Sequence, residues 1–515
     1  MDGAGSLMRA AADAGVTACF ANPGTTEMQL VAALDHERRI RPVLGLFEGV
    51  VTGAADGFAR MSDMPAMTIL HLGPGLANGL ANLHNARRAD SPMLNVVGDH
   101  ATWHRDADAP LTSDIESLAG PMSGWVRTAR HAADLAADTA EALTAALDPP
   151  GRPATLIVPQ DVAWGEIESV PSPEVAAATR SLVPPGAIES VAEVLRRSGE
   201  RAVLLVGGTG CRRDGLLAAA RVGAATGARV LVEGNPSRLE RGAGVPSFGR
   251  VPYFPEQAAE VFENIDLLVL AGATDPVNFF GYPDQRSHPR TESCELVNLA
   301  GPADDVIHAL DGLAAALDAP SVSTGTESVP EQPSGSALGP GELGMALASL
   351  QPEGAIVVDE AITSGGPYAG AARLAAPHDV LALTGGAIGY GLPAAVGAAI
   401  ACPDRRVIAL QADGSGLYTS QALWTMAREG LDITVVICAN RSYRILEVEL
   451  FRAGITEPGP ASSSLTGLGS PAVDWVSLAR GYGVGAVGAT TADELVDALG
   501  RSFATEGPSL IEVAL

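Results

Sequence analysis

The stretches VIALQADGS, at residues 407–415, and VVICANRSY, at residues 435–443, decide the fold of this chain. Each is an apolar run of strand length that ends in a polar loop, and a helical pattern at residues 420–429 lies between them. A strand, a helix and a second strand in this order predict a βαβ unit with parallel strands. Because ligands bind at the carboxyl ends of such strands, Asp413 and Asn440 are expected to be neighbours in a site.

Asp413 and Asn440 would offer the hard oxygen atoms that Mg²⁺ prefers, and a nearby backbone carbonyl could complete the set. Gly414 and Ser415 leave room for backbone N–H groups to meet a phosphate where the helix starts. A second interpretation is that Asp413 merely caps the helix and Asn440 makes a turn. The two residues alone do not decide between these interpretations.

Strand and helix patterns alternate through the rest of the chain, which predicts an α/β fold of three parallel-sheet domains at residues 1–169, 186–319 and 342–515. Stretches rich in proline and serine near residues 170–185 and 320–341 are interpreted as linkers. Strands are expected at residues 43–47, 66–72, 93–97, 154–158, 202–206, 229–232, 267–270, 355–358, 406–410, 434–438 and 509–513, and helices at 49–61 and 78–89.

The composition excludes several classes of function. The formal net charge is −27, which argues against a protein that tracks nucleic-acid phosphates and against a polybasic membrane-surface protein. The sequence contains no lysine, so a mechanism based on a lysine Schiff base is excluded. The uncharged stretch 380–403 is long enough to span a bilayer, but its glycines and Pro393 favour a buried loop and helix.

The cysteines and the N-terminus predict a cytoplasmic protein. The five cysteines are widely scattered and show no zinc-binding spacing, which is typical of a reduced, intracellular chain. The N-terminus lacks a basic segment followed by an apolar one, so no signal peptide is expected. The cysteines are Cys19, Cys211, Cys294, Cys402 and Cys438.

The pair of motifs around Asp413 and Asn440 resembles the metal site of thiamine-diphosphate (ThDP) enzymes. Those enzymes carry Gly-Asp-Gly and, some two dozen residues later, Asn-Asn; this chain has alanine at 412 and at 439. The resemblance implies that Asp413, Asn440 and the Ser442 carbonyl hold Mg²⁺ and the cofactor's diphosphate, with Gly414 and Ser415 beside it.

The segment LGLFEGVVTGAADGFAR, at residues 44–60, resembles the part of these enzymes whose glutamate contacts the cofactor's aminopyrimidine ring. That glutamate corresponds to Glu48, and neighbours such as Phe47 and Val50 would provide the apolar setting that the chemistry needs. The protein then orients and activates the cofactor, which carries the difficult step. The alternative is that Glu48 caps the helix that begins at Gly49.

Three further segments resemble parts of the same active site. NPGTTE, at residues 22–27, and HLGPGLANG, at residues 71–79, are similar to two N-terminal active-site loops. In benzoylformate decarboxylases these loops carry a serine and a histidine, which correspond here to Thr25 and His71. His71 is therefore a candidate proton shuttle, although a single histidine is more often structural. His84, His100 and His104 lie near the matched segments and are weaker candidates.

TGGAIGYGLPAA, at residues 384–395, is similar to the loop that holds the bent cofactor. By this resemblance the Gly386 carbonyl meets the cofactor's amino group, and Ile388 is the apolar wedge between its rings. Simple core packing is the other interpretation of Ile388. The second active-site histidine of benzoylformate decarboxylases falls near Phe280, which weakens a claim of benzoylformate activity.

The resemblance covers essentially the whole chain, in the order pyrimidine-binding, middle and diphosphate-binding domain. It implies the ThDP-enzyme fold and non-oxidative decarboxylation of a 2-oxo acid, with release of an aldehyde or carboligation to a second carbonyl. It also implies a homodimer or homotetramer in which Glu48 and Asp413 of one site come from different chains. The substrate pocket would involve Thr25, His71, Phe279, Phe280 and residues 445–451.

Three alternatives remain from the sequence: a carboligase of the acetolactate synthase type, a non-catalytic ThDP-fold protein that binds a partner, and a flavin or nicotinamide oxidoreductase. A glycine-rich turn at residues 206–210 suggests FAD, which acetolactate synthases bind. Because the turn lacks a complete GxGxxG pattern, FAD is not expected.

Overall fold

The computed structural model describes residues 1–168, 171–176, 179–323 and 328–515, which form two compact units. Unit 1 comprises Met1–Ala177, Val329–Ala372 and Leu383–Leu515, and unit 2 comprises Ala178–Ser328 and Arg373–Ala382. Parts of both expected linkers, and the expected domain end at residue 169, lie outside the described residues. The division into domains at 1–169, 186–319 and 342–515 stays a prediction.

The strands, in chain order, are β1 Ala18–Asn22, β2 Arg41–Leu44, β3 Ala66–Leu70, β4 Met93–Asp99, β5 Trp125–Thr128, β6 Pro153–Pro159, β7 Ala202–Val206, β8 Arg229–Val232, β9 Leu239–Arg241, β10 Gly249–Arg250, β11 Leu267–Ala271, β12 Glu295–Ala300, β13 Ile356–Glu360, β14 His378–Ala382, β15 Val407–Ala412, β16 Ile433–Ala439, β17 Gly485–Ala489 and β18 Ser509–Ala514.

The helices are α1 Gly3–Asp13, α2 Met28–Leu34, α3 Glu48–Ser62, α4 Leu72–Arg88, α5 Ile115–Ala119, α6 Leu135–Leu147, α7 Gln160–Trp164, α8 Pro185–Ser198, α9 Arg213–Thr226, α10 Pro255–Phe262, α11 Val306–Ala316, α12 Pro340–Leu350, α13 Gly366–Ala371, α14 Gly391–Ala401, α15 Asp413–Gly416, α16 Ala422–Glu429, α17 Arg444–Arg452, α18 Pro460–Thr466, α19 Trp475–Gly481 and α20 Ala492–Phe503.

The predicted strands and helices are confirmed, with differences at their ends. The first predicted strand ends at Leu44 instead of residue 47, because Phe47 already takes the N-cap position of α3. The helix predicted at 78–89 begins at Leu72, so its first turn includes the glycine-rich loop. The stretch 380–403 contains α14, whose residues are almost all buried. Among the described residues, no helix is long and apolar enough to cross a membrane.

Unit 1 contains two groups of parallel strands. The first sheet has the order β2-β1-β3-β4-β6-β5, and the strands of the second lie in the order β17-β18-β16-β15-β13. The central strands are buried along almost their whole length, since helices cover parallel sheets on both faces. The carboxyl ends of β1, β3 and β4 form one edge, and those of β13, β15 and β16 form another.

Helices α3 and α14 join the two halves of unit 1. They approach so closely that a side chain on Gly57 would overlap the Ala394 carbonyl, and one on Gly397 would overlap the Ala54 carbonyl. Beside this contact, Arg60 forms a buried ion pair with Asp56 and donates a hydrogen bond to Thr384 Oγ1 at 3.0 Å. The helix pair thus holds residues 384–390, directly before α14, against α3 of the first sheet.

Unit 2 is a smaller α/β unit built on one parallel sheet with the strand order β10-β8-β7-β11-β12. In the same unit β14 pairs antiparallel with β9. Its apolar core packs β7 and β11 against α8, α9 and α11. The three parallel α/β sheets of the two units confirm the predicted fold class.

Candidate active site

Glu48 begins α3 at the carboxyl edge of the first sheet. Its side chain is buried, as are those of Val50 and Val51. Its Oε2 atom accepts a hydrogen bond from Asn78 Nδ2 of α4 at 3.0 Å. Among the described residues, no hydrogen bond joins the carboxylate to the free N–H groups of α3, so the capping interpretation finds no support in this geometry.

His71 lies beside Glu48. It is the N-cap residue of α4 and directly follows β3. Gly75 separates the two side chains: a Cβ atom at Gly75 would lie 3.2 Å from Glu48 Oε1 and 3.3 Å from His71 Cβ. The structure therefore brings together two of the three residues that the sequence proposed for catalysis in the N-terminal half, Glu48 and His71.

The loop between β1 and α2 supplies a second acidic group. Glu27 is fully buried, and its Oε2 atom lies 2.7 Å from His71 Nδ1. The hydroxyl of Thr26 lies 3.3 Å from the same ring nitrogen and donates to Glu27 Oε1 at 2.5 Å. Thr25, the residue that the sequence singled out, is exposed, so its role stays a prediction, whereas Thr26 contacts the histidine.

Helix α4 binds every second carbonyl of the loop at residues 385–389. His84 Nε2 donates to the Gly385 carbonyl at 3.0 Å, Asn85 Nδ2 to that of Ala387 at 2.8 Å, and Asn82 Nδ2 to that of Gly389 at 3.2 Å. Ala387 N donates in return to Asn85 Oδ1 at 3.2 Å. Within the described part of the chain, the Gly386 and Ile388 carbonyls receive no hydrogen bond and stay available to a ligand.

Glu360, the last residue of β13, ties this loop to the second group of strands. Its carboxylate is buried and accepts hydrogen bonds from Gly389 N and Gly391 N, both at 2.7 Å, and from Gln411 Nε2 at 2.9 Å. Gln411 Nε2 also donates to Ser415 Oγ at 2.6 Å. Burial raises the pKa of the Glu360 carboxyl, and these donors act in the opposite direction.

Asp413 and Asn440 lie at neighbouring strand ends, as the βαβ pattern predicts, because β15 and β16 pair in parallel up to Ala412 and Cys438. The Asp413 carboxylate accepts hydrogen bonds from Arg441 N at 2.7 Å and Gly414 N at 2.9 Å. Burial raises the pKa of Asp413, and the two N–H groups lower it in part. Asn440 Oδ1 accepts from Ser442 N at 3.0 Å, which folds the loop back toward Asp413.

These residues fit a hard divalent cation bound to a phosphate. No group of three His, Cys, Asp or Glu side chains is placed to hold a metal anywhere in the described residues. An ion at this edge would depend on the mixed set of carboxylate, amide and backbone oxygens, which suits Mg²⁺ and not a transition metal. A side chain at position 414 would meet the Tyr443 ring at 2.6 Å, so glycine keeps this approach open.

Strained backbone conformations occur beside the same candidate site residues. Among the described residues, five of the non-glycine residues with positive φ are aspartates, and the other three are Leu72, Ile362 and Arg441, with φ of 51°, 53° and 56°. Leu72 directly follows His71. Ile362 lies two residues after Glu360, the last residue of β13. Arg441 lies between Asn440 and Ser442. Such conformations are costly for residues with a large side chain and concentrate at functional sites.

Of the other predicted pocket residues, two belong to unit 2 and the rest to a surface helix of unit 1. Phe279 and Phe280 belong to unit 2, where both are exposed and their ring centroids lie 5.0 Å apart. Residues 445–451 form most of α17, which has no buried residue. The His100 and His104 rings contact each other at 5.5 Å. The part of Phe279, Phe280 and residues 445–451 in substrate binding stays a prediction, as does a catalytic role of His100 and His104.

Sequence reasoning missed Glu27, Thr26, Glu360 and the roles of Asn82 and Asn85 in α4, whereas it named His84 as a weaker candidate. For Glu27 a local signal existed, because it is the last residue of the matched loop at 22–27 and caps that loop by accepting from Gly24 N at 2.7 Å. For Glu360 and Asn85 there was none, since their partners lie far away in the sequence.

Two family models of known proteins match the two parts of the chain that contain these residues. The family model for the N-terminal thiamine pyrophosphate (ThDP) binding domain of thiamine pyrophosphate enzymes matches residues 1–118, which include Glu48 and His71. The model for their C-terminal ThDP-binding domain matches residues 363–513, which include Asp413 and Asn440.

Full-length relatives carry the comparison across the whole chain. The sequence is 50% identical to IlvX of Mycobacterium tuberculosis, which is named for the acetolactate synthase large subunit, over 100% of this chain and 99% of the relative. It is 31% identical to a benzoylformate decarboxylase of Pseudomonas aeruginosa, over 97% and 96%. A ThDP-dependent 4-hydroxybenzoylformate decarboxylase from Rhodococcus jostii RHA1 has a TM-score of 0.86 and 25% identity, covering 100% and 99%.

Because both ThDP-binding domains are matched and the relatives align over nearly their full length, this chain belongs to the family of ThDP-dependent enzymes that includes acetolactate synthases and benzoylformate decarboxylases.

Proposed function

We propose that this enzyme uses ThDP and Mg²⁺ for the non-oxidative decarboxylation of a 2-oxo acid, with release of an aldehyde or ligation to a second carbonyl. The observation that carries the proposal is the pairing of buried Glu48 with His71 on either side of Gly75. A carboxyl that touches the cofactor and a group that exchanges protons with the substrate are what this chemistry requires of the protein.

Asp413, Asn440 and the Ser442 carbonyl would hold Mg²⁺ and, through it, the diphosphate. Gly386, Gly414 and Ser415 would line the cofactor's path, and Ile388 would support its bend. ThDP, when bound, supplies the electron sink for breaking the bond between the carboxyl and carbonyl carbons. The hard-oxygen set and the two carbonyls that α4 leaves available support this assignment.

Glu48 would hydrogen-bond to the cofactor ring through Oε1, the oxygen that Asn78 does not use. His71 would exchange a proton with the substrate at Nε2, since Nδ1 faces Glu27. Thr25 would contact the substrate from the neighbouring loop.

A second candidate is carboligation of the acetolactate synthase type. The 50% identity with IlvX over the full chain favours it. The two candidates share the decarboxylation step and differ in what becomes of the acyl fragment, so product analysis separates them.

We further propose a cytoplasmic homo-oligomer, dimer or tetramer, that works without FAD. In unit 2, Gly208 N of the glycine-rich turn donates to Glu233 Oε1 at 3.0 Å. An N–H group that a dinucleotide phosphate would need is therefore paired with a carboxylate of the chain itself, which supports a middle region without FAD.

The decisive experiment measures carbon dioxide release from a panel of aliphatic and aromatic 2-oxo acids. Protein stripped of cofactor and metal is compared with protein given ThDP, Mg²⁺ or both, and Glu48→Gln is compared with Glu292→Gln, a change at an exposed glutamate in unit 2. We expect release only with both additions, and a loss of about 10² or more in Glu48→Gln alone.

Aldehyde or acyloin analysis of the active reactions then assigns the product class. If ThDP binds but no acid releases carbon dioxide, the decarboxylase assignment is wrong. If Glu48→Gln is as active as Glu292→Gln, the role given to Glu48 is wrong.

A further inference from the structure

Glu27 is a fully buried carboxylate, and its ion-pair partner is a histidine. The sequence contains no lysine, and within the described residues no arginine forms an ion pair with Glu27. Burying an unpaired carboxylate is costly, so its few polar contacts must compensate for lost water. Of these polar contacts, the contact with His71, 44 residues away in the sequence, joins Glu27 to a different loop.

The contacts of Glu27 determine which nitrogen of His71 carries the proton. Oε2 accepts from Gly24 N at 2.7 Å and lies 2.7 Å from His71 Nδ1. Because an ionised carboxylate only accepts hydrogen bonds, Nδ1 must be the donor. In the neutral ring Nε2 is then the unprotonated nitrogen, and it has no hydrogen-bond partner within the described residues.

The surrounding backbone is built around this pair. A side chain at Gly24 would overlap the His71 ring, and one at Gly98, on β4, would overlap the Glu27 carboxylate. Three strand ends, those of β1, β3 and β4, therefore enclose the two side chains. The ring keeps 21% of its side-chain surface exposed, so one end of it still reaches the site.

We propose that Glu27 is a positioning residue, which holds His71 in the Nδ1–H tautomer and leaves Nε2 to exchange protons with the substrate. The inference rests on the proposed function for the identity of the proton transfer, but the tautomer itself does not depend on it. Glu27 acts through His71 and need not touch the reacting atoms.

The first test is ¹⁵N NMR of the imidazole groups in histidine-labelled full-length protein without cofactor, with His71 assigned by its absence in His71→Gln. We expect His71 to carry its proton on Nδ1 in the unmodified protein and in Glu27→Gln, whose amide oxygen can still accept the bond. In Glu27→Ala we expect the Nε2–H form to appear. A proton on Nε2 in the unmodified protein, or no change in Glu27→Ala, would overturn the proposal.

The second test separates positioning from a structural role by steady-state kinetics on the acid that the unmodified enzyme decarboxylates. We expect Glu27→Ala to lower kcat by about 10² with KM within about threefold, and Glu27→Gln to recover most of kcat. Equal losses in both variants, in step with their melting temperatures, would contradict it. If no acid is decarboxylated, the proposed function fails while the NMR result still decides the tautomer.

Discussion

Ile362 follows β13 in the left-handed region of the backbone, where a β-branched side chain crowds its own peptide groups. It lies two residues beyond Glu360 and is 41% exposed, so little packing holds it there. The strain at this single residue can be measured by comparing the stabilities of variants at position 362.

We predict that Ile362→Gly is more stable than Ile362→Ala by about 1 kcal/mol, because glycine accepts the left-handed conformation that alanine resists. Val487 is equally exposed but lies in strand β17, so Val487→Gly should be less stable than Val487→Ala. Urea unfolding midpoints of the four variants check this. The same order at both positions would show that Ile362 is not strained.

Helices α3 and α14 meet at glycines, and at the scale of elements this close crossing holds the two halves of unit 1 together. A methyl group at position 57 would overlap the Ala394 carbonyl, so a helix must shift to accept it. Gly500 of α20 provides the matched control, because within the described part of the chain no atom beyond its own stretch of helix lies within 4 Å of where its Cβ would be.

We expect Gly57→Ala to destabilise the protein by about 1–3 kcal/mol through overpacking. Gly500→Ala should stabilise it by about 0.5–1 kcal/mol, since alanine favours an exposed helix position. Thermal unfolding of both variants gives the comparison. A neutral Gly57→Ala would mean that the helices lie farther apart than described.

Helix α4 holds residues 385–389 in place. Polar side chains of this helix donate hydrogen bonds to backbone carbonyls of the loop. Asn85 contributes most, because it accepts from Ala387 N and donates to Ala387 O. Without it, the loop that presents Gly386 and Ile388 would lose its fixed conformation.

We predict that Asn85→Ala weakens ThDP binding about tenfold in the presence of Mg²⁺, the effect of about two neutral hydrogen bonds. Arg88→Ala, on the exposed side of the same helix, should bind as the unmodified protein does. Titration calorimetry gives the affinities, and amide hydrogen exchange at residues 384–391 should accelerate in Asn85→Ala alone. Unchanged affinity in Asn85→Ala would show that the hydrogen bonds between Asn85 and Ala387 do not contribute to ThDP binding.

On the scale of the whole molecule, the proposed oligomer requires two chains for each site, with Glu48 from one and Asp413 from the other. Glu48→Gln and Asp413→Asn should then be inactive alone. A dimer of one Glu48→Gln chain and one Asp413→Asn chain would have one doubly altered site and one intact site.

We therefore expect such mixed dimers, co-expressed with two different tags and purified over both, to recover about half of the unmodified activity. Each homodimer, purified in the same way, serves as its control. No activity in the mixed dimer would place Glu48 and Asp413 of each site in the same chain and refute the shared-site arrangement.

Much of the fold was predictable because the signals are local. Apolar runs that alternate with helical patterns indicate parallel sheets wherever they occur, and a βαβ unit places its strand ends together, so Asp413 and Asn440 could be paired from spacing alone. Glu48 and His71 were recognisable from the motifs around them, which keep their order along the chain.

Only the tertiary structure placed Glu27 and Thr26 against His71, and Asn85 against Ala387, 302 residues away. Periodicity and turn chemistry describe a few residues at a time and carry no information on which distant loops meet. Those contacts depend on how the helices pack on the sheets, and that packing is set by close approach at positions such as Gly57 and Gly397. The sequence by itself therefore determined the class of fold and the motifs of the candidate site, while packing decided which side chains contact the candidate site residues.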